Sequence, residues 1–591
     1  MNTIVVLCIL PWSQLLTSLP EEDYPKRSPF SELRWSDSRP EARIGGTWYA
    51  VHAVNGVPID DILSFCEKNW PNKVRRRFVE DLVEVLSKMG KAPGASTTID
   101  VTNLETGSRS TLRDVPMTRA NRQRLRSKRI RRPERKASVT AEQALHDIND
   151  FQRQLESRFA YLHANHVDYK SALNKIRASV TDPMDVNRLE AEIGKVISMF
   201  IDGHASPRGI NRNAQRGHRL PFLLEISGDR FVAVNRDRQS LVAPGFPYVA
   251  SIDGIRIERW IAAMDPFIAQ GSPQHDRARA TNYLNLIDHA RRQLERPTAK
   301  PLALLLRSED GTKQTTMTVE VPDNPPPRAD MRYRNGGLIA GSIGYLRLPT
   351  FEGEDAVNRI REWMPRFQDS TGLIIDIRDN GGGSREALRE LFPYFLKPGE
   401  VRIGNVCAYR LYERFSHDHL ASRFAYREDD ERWTKVERTA IRRFAATFRP
   451  EWTPPQDQFS QWHYLVLTRA EGDGRYYYDK PVVLLTNPYC FSATDIFAGA
   501  FKGHTGVTIM GQSTSGGSAC SKRETLPYSG IEVRLASMAS FQPDGLLYDG
   551  RGVAVDVFVA PSPESFLLDG NDNVLQAGID FIQATRKTGE E

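Results

Sequence analysis

Cysteine is scarce, with five in 591 residues. Cys8 lies in the N-terminal stretch, and Cys66, Cys407, Cys490 and Cys520 lack CxxC or zinc-ligand spacing. They read as buried free thiols, with a Cys490–Cys520 pairing left open. Long apolar runs are also missing. Only MNTIVVLCILPWSQLL comes near one, and it is too short to span a bilayer. Residues 1–22 therefore read as a secretory signal, although a positive n-region is lacking. That implies a secreted, periplasmic or cell-envelope protein with no transmembrane segment in the mature chain. Net charge is small, +6, and much of the excess sits in Arg119–Lys136. A nucleic-acid protein of this size spreads its basic surface more widely, so no nucleic-acid partner is expected. Walker lysine and spaced GxGxxG patterns are absent too, and no cofactor or metal is expected.

What is present centres on Pro481–Gly511. Val482 to Leu485 has the length and branching of a buried strand. Thr486-Asn487-Pro488 breaks it, and Ile496, Phe497, Ala500 and Phe501 then recur at helical spacing. Ser492 stands where strand gives way to helix. A hydroxyl there meets free backbone N–H groups and the positive end of a helix dipole, which suits a nucleophile whose attack creates an oxyanion. A simple helix cap is the competing reading. Cys490 is a rival nucleophile, but it precedes the helix.

Upstream there is a repeat. Trp48–Ile59 parallels Phe246–Ile257, each a strand followed by an Asn-Gly or Asp-Gly turn. Thr98–Val115 parallels Leu302–Val321, each a hairpin turning at Gly107 or Gly311. Two copies of one β-rich module are expected, within 23–118 and 216–328. Both resemble PDZ domains, which hold an extended peptide by strand addition. The basic stretch within 119–140 reads as a solvated tether. Residues 141–215 read as helices, and the turn Asp202-Gly203 projects His204 from a helix end.

From 329 to 585 strands and helices alternate, which predicts α/β crossover units on a largely parallel sheet. Gly372–Ile377 is a buried strand followed by Gly381-Gly382-Gly383, whose unshielded N–H groups suit half of an oxyanion hole, with Ala493 as the other half. The charged, aromatic insert 401–480 reads as a lid or strap over the site.

Five segments in order are similar to the S41 serine peptidases: Ile343–Leu348, Ile374–Gly383, Phe491–Asp495, Gly511–Gly517 and Gly550–Val557. The resemblance implies an α/β S41 core of the ClpP/crotonase-like type, with two PDZ-like modules and a helical segment. The carboxyl-terminal processing branch uses a lysine that would fall near Gly517. None is there, and Lys502 and Lys522 are out of place. The tricorn-like branch uses an upstream D-x-H histidine, matched by Asp202-Gly203-His204, and a late acid, matched by Asp549 where Glu is usual. Val555 stands where proline is common. The resemblance thus implies a serine endopeptidase with Ser492 as nucleophile, His204 as general base and Asp549 as orienting acid. Gly381 or Gly382, with Ala493, would hold the oxyanion. His504 is a rival base that lies closer to Ser492 in sequence, but the helix should turn it elsewhere, and Asp495 reads as a first-turn dipole partner rather than a catalytic group. Protein or peptide substrates are implied as partners, reached by their C-terminal tails through the PDZ-like modules, and an oligomer is compatible. The alternative is a non-catalytic binding protein on the same scaffold.

Overall fold

The computed structural model describes residues 24–36, 39–69, 74–130, 135–208, 217–298, 301–331, 333–411, 419–470 and 472–589. The signal at 1–22 lies outside them. Among the described residues no helix is long and apolar enough to cross a membrane. The chain forms two compact units, Met1–Arg132 and Pro133–Glu591.

Within the first unit a sheet runs Glu32–Ser36, Arg39–Ile44, Thr47–Val54, Ser96–Asn103, Arg109–Pro116, with Val57–Pro58 paired to the third strand. The second unit contains a sheet of the same plan: Phe222–Ser227, Arg230–Asn235, Tyr248–Ile252, Leu302–Arg307, Gln314–Val319, with Ile255–Arg256 paired to its third strand. The tight turns have the backbone their residues permit. Asn55-Gly56 has φ of 53° and 75°, and Asp253-Gly254 has 48° and 73°.

The tether expected at 119–140 is corrected in part. Arg119–Ile130 is a helix; Thr118 Oγ1 accepts the Asn121 N–H at 3.0 Å at its start. Leu125 is buried in the apolar core of the first unit, so one anchored face orders an otherwise basic segment.

The central sheet of the second unit runs Gly336–Ile339, Ile343–Arg347, Gly372–Asp376, Val482–Thr486, Val507–Gly511, Val557–Phe558. Only its first pairing is antiparallel; the rest are parallel. The three inner strands from Ile343 to Thr486 are buried throughout because both faces are covered. Alternate residues part to opposite sides. Leu346, Ile375 and Leu484 pack with Ile360, Leu388 and Ile496. Tyr345, Ile374 and Val483 pack with Val574 and Ile582 of the C-terminal helix.

The insert 401–480 is not a lid. Val401–Tyr409, Ala425–Arg427 and His463–Thr468 form a four-stranded sheet with Met538–Phe541. Val406, Tyr464 and Phe541 share a core with Phe151, Leu189 and Ile193 of the helical segment. Both faces of its strands are covered: Tyr464 and Val466 pack with the helical segment, and Leu465 and Leu467 with Ile496 and Phe497.

Asp376, at the carboxyl end of its strand, is fully buried. It accepts from Arg347 Nη1 at 2.9 Å, Tyr345 OH at 2.8 Å and Arg378 Nη2 at 2.7 Å. Burial alone would raise its pKa, but the two guanidiniums hold the carboxyl below the usual carboxylate range. Removing it leaves the buried Arg347 without its acidic partner and Arg378 with Asp572 alone. Asp376→Ala is expected to cost about 3–5 kcal/mol, read as a fall in the urea midpoint of unfolding.

Candidate functional site

Ser492 precedes the helix Ala493–Phe501 at a sharp turn, with φ 65° and ψ −114°. A non-glycine residue rarely takes such a backbone, so surrounding bonds must hold it there. Asp495 supplies them. Its Oδ2 accepts the Ser492 N–H at 2.7 Å and the Gly517 N–H at 3.1 Å, while Oδ1 accepts the Gly516 N–H at 2.8 Å. Burial pushes the Asp495 carboxyl up to about 7. The sequence reading made Asp495 a first-turn dipole partner; the structure makes it the tie between the Ser492 turn and the Gly516-Gly517 loop.

His204 arrives from a segment far from Ser492 in sequence. The helix Val186–Ile197 ends ahead of it, and the Asp202 N–H donates to Gln270 O at 2.8 Å. Asp202 Oδ1 accepts the His204 N–H at 2.9 Å, and Oδ2 accepts the Ala536 N–H at 3.0 Å. Residues Ser206–Arg208 then join the edge of strand Glu532–Ala536. Both flanks of the imidazole are thereby fixed. Its Nε2 lies 3.2 Å from Ser492 Oγ across 288 positions of sequence.

Phe491 sets the ring plane. His204 stacks on it with centroids 4.3 Å apart, and His275 stacks at 5.3 Å. A Cβ at Gly203 would sit 3.0 Å from the Phe491 ring, and one at Gly517 only 2.3 Å. Gly517, where a dyad lysine would fall, has no room for a side chain. Lys502 instead pairs with Asp556, and Lys522 is exposed on strand Ser521–Thr525. His504 Nε2 pairs with Phe395 O at 3.0 Å, away from Ser492.

Asp549 is buried beside this pair, but its bonds run elsewhere. Its Oδ2 accepts from Tyr161 OH at 2.7 Å and from the Ser518 N–H at 3.1 Å. Asp549 Oδ1 and His204 Nδ1 are both buried without a hydrogen-bond partner. Ligand-capable atoms of Asp202, His204 and Asp549 lie within 4.8 Å of one another. Both Asp202 oxygens are committed to backbone N–H groups, so the cluster fits carboxylate support of an imidazole better than a metal centre. Burial, then mutual repulsion, raises the Asp549 carboxyl; burial also raises Asp202. Tyr161 was not singled out from sequence, and 388 positions separate it from its partner.

Gly382 abuts the Ser492 turn at φ 102°; a Cβ there would meet Phe491 O at 2.6 Å. Its N–H already donates to Asn380 Oδ1 at 2.9 Å. Of the two glycine amides named for an oxyanion hole, Gly381 is the one left to pair with Ala493. The thiols of Cys66, Cys407, Cys490 and Cys520 are free and buried. Cys490 points its sulfur at Ile377 O, 3.0 Å away.

Residues 342–559, which contain the Ser492 turn, the triple glycine and Asp549, match the model of Peptidase family S41. The likeness to peptidase family S41 is carried by that segment. It is 30% identical over 124 residues to Carboxyl-terminal-processing peptidase 2, chloroplastic, of Arabidopsis thaliana, covering 20% of this chain. The chain spans 24% of that relative's length in the match. Mature CPAF shares the fold, with TM-score 0.51, 15% identity, and coverage of 72% of this chain and 94% of that one. Mature CPAF complexed with lactacystin gives TM-score 0.50 at 15% identity, covering 76% and 98%.

The helix Pro273–Leu284 docks on the Thr514-Ser515 loop of the matched segment. Ser272 Oγ donates to Ser515 O at 2.5 Å and Gln274 Nε2 to Thr514 O at 2.7 Å. Asp495 holds the other side of that loop. Asp495→Ala leaves three N–H groups without their acceptor, each costing about 1–3 kcal/mol. A lowered thermal midpoint is the expected result, read by near-UV circular dichroism.

Proposed function

We propose that the protein is a serine peptidase that hydrolyses peptide bonds of protein or peptide substrates through an acyl-enzyme. The observation that carries this is the Ser492 hydroxyl, on a positive-φ turn, 3.2 Å from His204 Nε2. A serine hydroxyl is a weak nucleophile until a neutral imidazole takes its proton. Burial first, then the charges of Arg534 and Arg423, hold His204 well below the ordinary value of 6.5, so the neutral base prevails.

Ser492 Oγ attacks the carbonyl carbon as its proton passes to His204 Nε2. The oxyanion is received by the Gly381 and Ala493 N–H groups. Collapse breaks the C–N bond, and His204 returns the proton to the leaving amine. Water, deprotonated by the same nitrogen, then cleaves the ester and restores Ser492. Asp549 is the orienting acid: its unmatched Oδ1 and the unmatched His204 Nδ1 are the complementary pair that the developing imidazolium draws together. Tyr161 and Ser518 hold the carboxylate in place for it. A secreted or envelope location and capture of substrate tails by the PDZ-like modules belong to the same proposal.

Ser492→Ala is expected to abolish peptide hydrolysis and labelling by a fluorophosphonate probe while far-UV circular dichroism stays unchanged. Peptide binding by the unmodified chain with neither labelling nor hydrolysis favours the binding-protein alternative. The pH profile gives a second check. Activity needs His204 neutral and so rises with pH through its depressed pKa, which places the acid limb of kcat/KM below pH 6.5. An acid limb above that value removes His204 as the base.

A further inference from the structure

The two amides proposed to receive the oxyanion sit on separate loops. Gly381 follows strand Gly372–Asp376, Ala493 follows strand Val482–Thr486, and the two strands are parallel neighbours. Sheet bonding fixes the strands, but the pairing ends at Asp376 and Leu485, several residues short of either amide. Three crossings carry the registration further. Cys490 Sγ donates to Ile377 O at 3.0 Å, and the Phe491 N–H donates to Asn380 O at 3.1 Å. The third crossing is a side-chain clasp. The Asp379 N–H donates to Asn487 Oδ1 at 3.0 Å, and Asn487 Nδ2 donates back to Asp379 Oδ1 at 2.7 Å.

Tyr333 is the third member of the clasp. Its hydroxyl donates to the other oxygen, Asp379 Oδ2, at 2.6 Å. The guanidiniums of Arg347 and Arg378 lie 4.2 and 5.1 Å from its ring centroid, and both pair with Asp376 at the end of the same strand. Asn487 Oδ1 also accepts the Tyr489 N–H at 3.1 Å, so its amide plane is set from its own loop. Local turn chemistry accounts for that last bond. It does not account for Asn487 Nδ2 reaching the neighbouring loop, or for Asp379 committing both oxygens to other segments. Asp379 also holds φ of 60°, a backbone uncommon outside glycine and one that surrounding bonds must maintain. Asp379 is exposed and Asn487 half-buried, so core packing does not require the pair.

We propose, resting on the serine peptidase reading above, that Asp379 and Asn487 are positioning residues for the oxyanion hole. The clasp sets the separation of the Gly381 and Ala493 N–H groups, and Tyr333 holds the clasp. These side chains act through the two amides and not on substrate. A donor must lie about 2.7–3.1 Å from the developing oxygen, and a misplacement of about 1 Å costs about 100-fold in rate. A loop slip too small to disturb the core therefore slows the attack step. Ground-state binding is spared, because the oxyanion exists only once attack has begun.

The test follows labelling of Ser492 in the full chain by a fluorophosphonate probe, whose phosphonyl oxygen uses the same two amides. The limiting rate at saturating probe and the half-saturating concentration are measured separately, with the labelled fraction at the endpoint and the thermal midpoint beside them. Asn487→Asp sets carboxylate against carboxylate. It is expected to lower the limiting rate about tenfold or more, with the half-saturating concentration within about twofold and labelling still complete at the endpoint. Combining Asp379→Asn with Asn487→Asp keeps every bond of the clasp, the carboxamide now donating from position 379 and the carboxylate accepting at position 487. This exchange is expected to restore most of the rate. Tyr333→Phe, which removes one hydroxyl, should fall between the two. A merely structural role lowers the midpoint and the labelled fraction and does not separate rate from half-saturation. An unchanged limiting rate in Asn487→Asp, a change in half-saturation alone, or a loss that the exchange leaves unrestored overturns the proposal. Should Asn487→Asp fail to fold, unchanged rates in both Tyr333→Phe and Asp379→Asn overturn it instead. Labelling that ignores the clasp sinks this proposal alone, whereas absence of labelling in the unmodified chain sinks the peptidase reading beneath it.

Discussion

The Phe491 ring is the contact on which the rest of the site depends. His204 lies against it at 4.3 Å and His275 at 5.3 Å, and Arg279 sits over it. Through this ring the Ser492 turn, the His204 turn and the helix Pro273–Leu284 share one packed surface. Two glycines make that possible. A methyl group at Gly203 or Gly517 would intrude on the ring, so bulk at Phe491 is matched by its absence on both neighbours. Stacking fixes the imidazole plane, and the backbone bonds to Asp202 fix its height. A hydroxyl and a ring nitrogen drawn from distant segments meet at 3.2 Å because every other freedom has been removed.

The electrostatics of the site follow from its dryness. Asp202, Asp495 and Asp549 are all buried, and burial is the largest cause of the upward shift in each. Backbone N–H groups hold the charge of Asp202 and Asp495, whereas Asp549 has a tyrosine hydroxyl and one N–H on a single oxygen. Its second oxygen is unmatched, as is the facing class of donor on His204. Burial, then the charges of Arg534 and Arg423, keeps the imidazole neutral.

Local signals carried far along this chain. Val482–Thr486 and Gly372–Asp376 read as buried strands because unbroken apolar runs are what a sheet covered on both faces demands. The turns at Asn55-Gly56 and Asp253-Gly254 read correctly because positive φ restricts residue choice, and the two sheets around them share a strand order. Where the basic residues outnumbered the apolar ones, composition misled: Leu125 is buried in the core of the first unit, and Arg119–Ile130 is a helix. The insert 401–480 misled in the same way, since its charged surface hid strands whose inner faces pack with Phe151 and Ile193.

Sequence by itself determined the parts: the strand-to-helix turn at Ser492, the triple glycine, the Asp202-Gly203-His204 turn and the late Asp549. Each is specified by neighbours a few positions away, through periodicity, turn chemistry and glycine placement. Only the tertiary structure decided their relations. It directed Asp549 Oδ2 to Tyr161, committed the Gly382 N–H to Asn380, and turned Asp495 into the support of the Ser492 turn. Those outcomes depend on which surfaces pack together across hundreds of residues, and no local pattern encodes that choice.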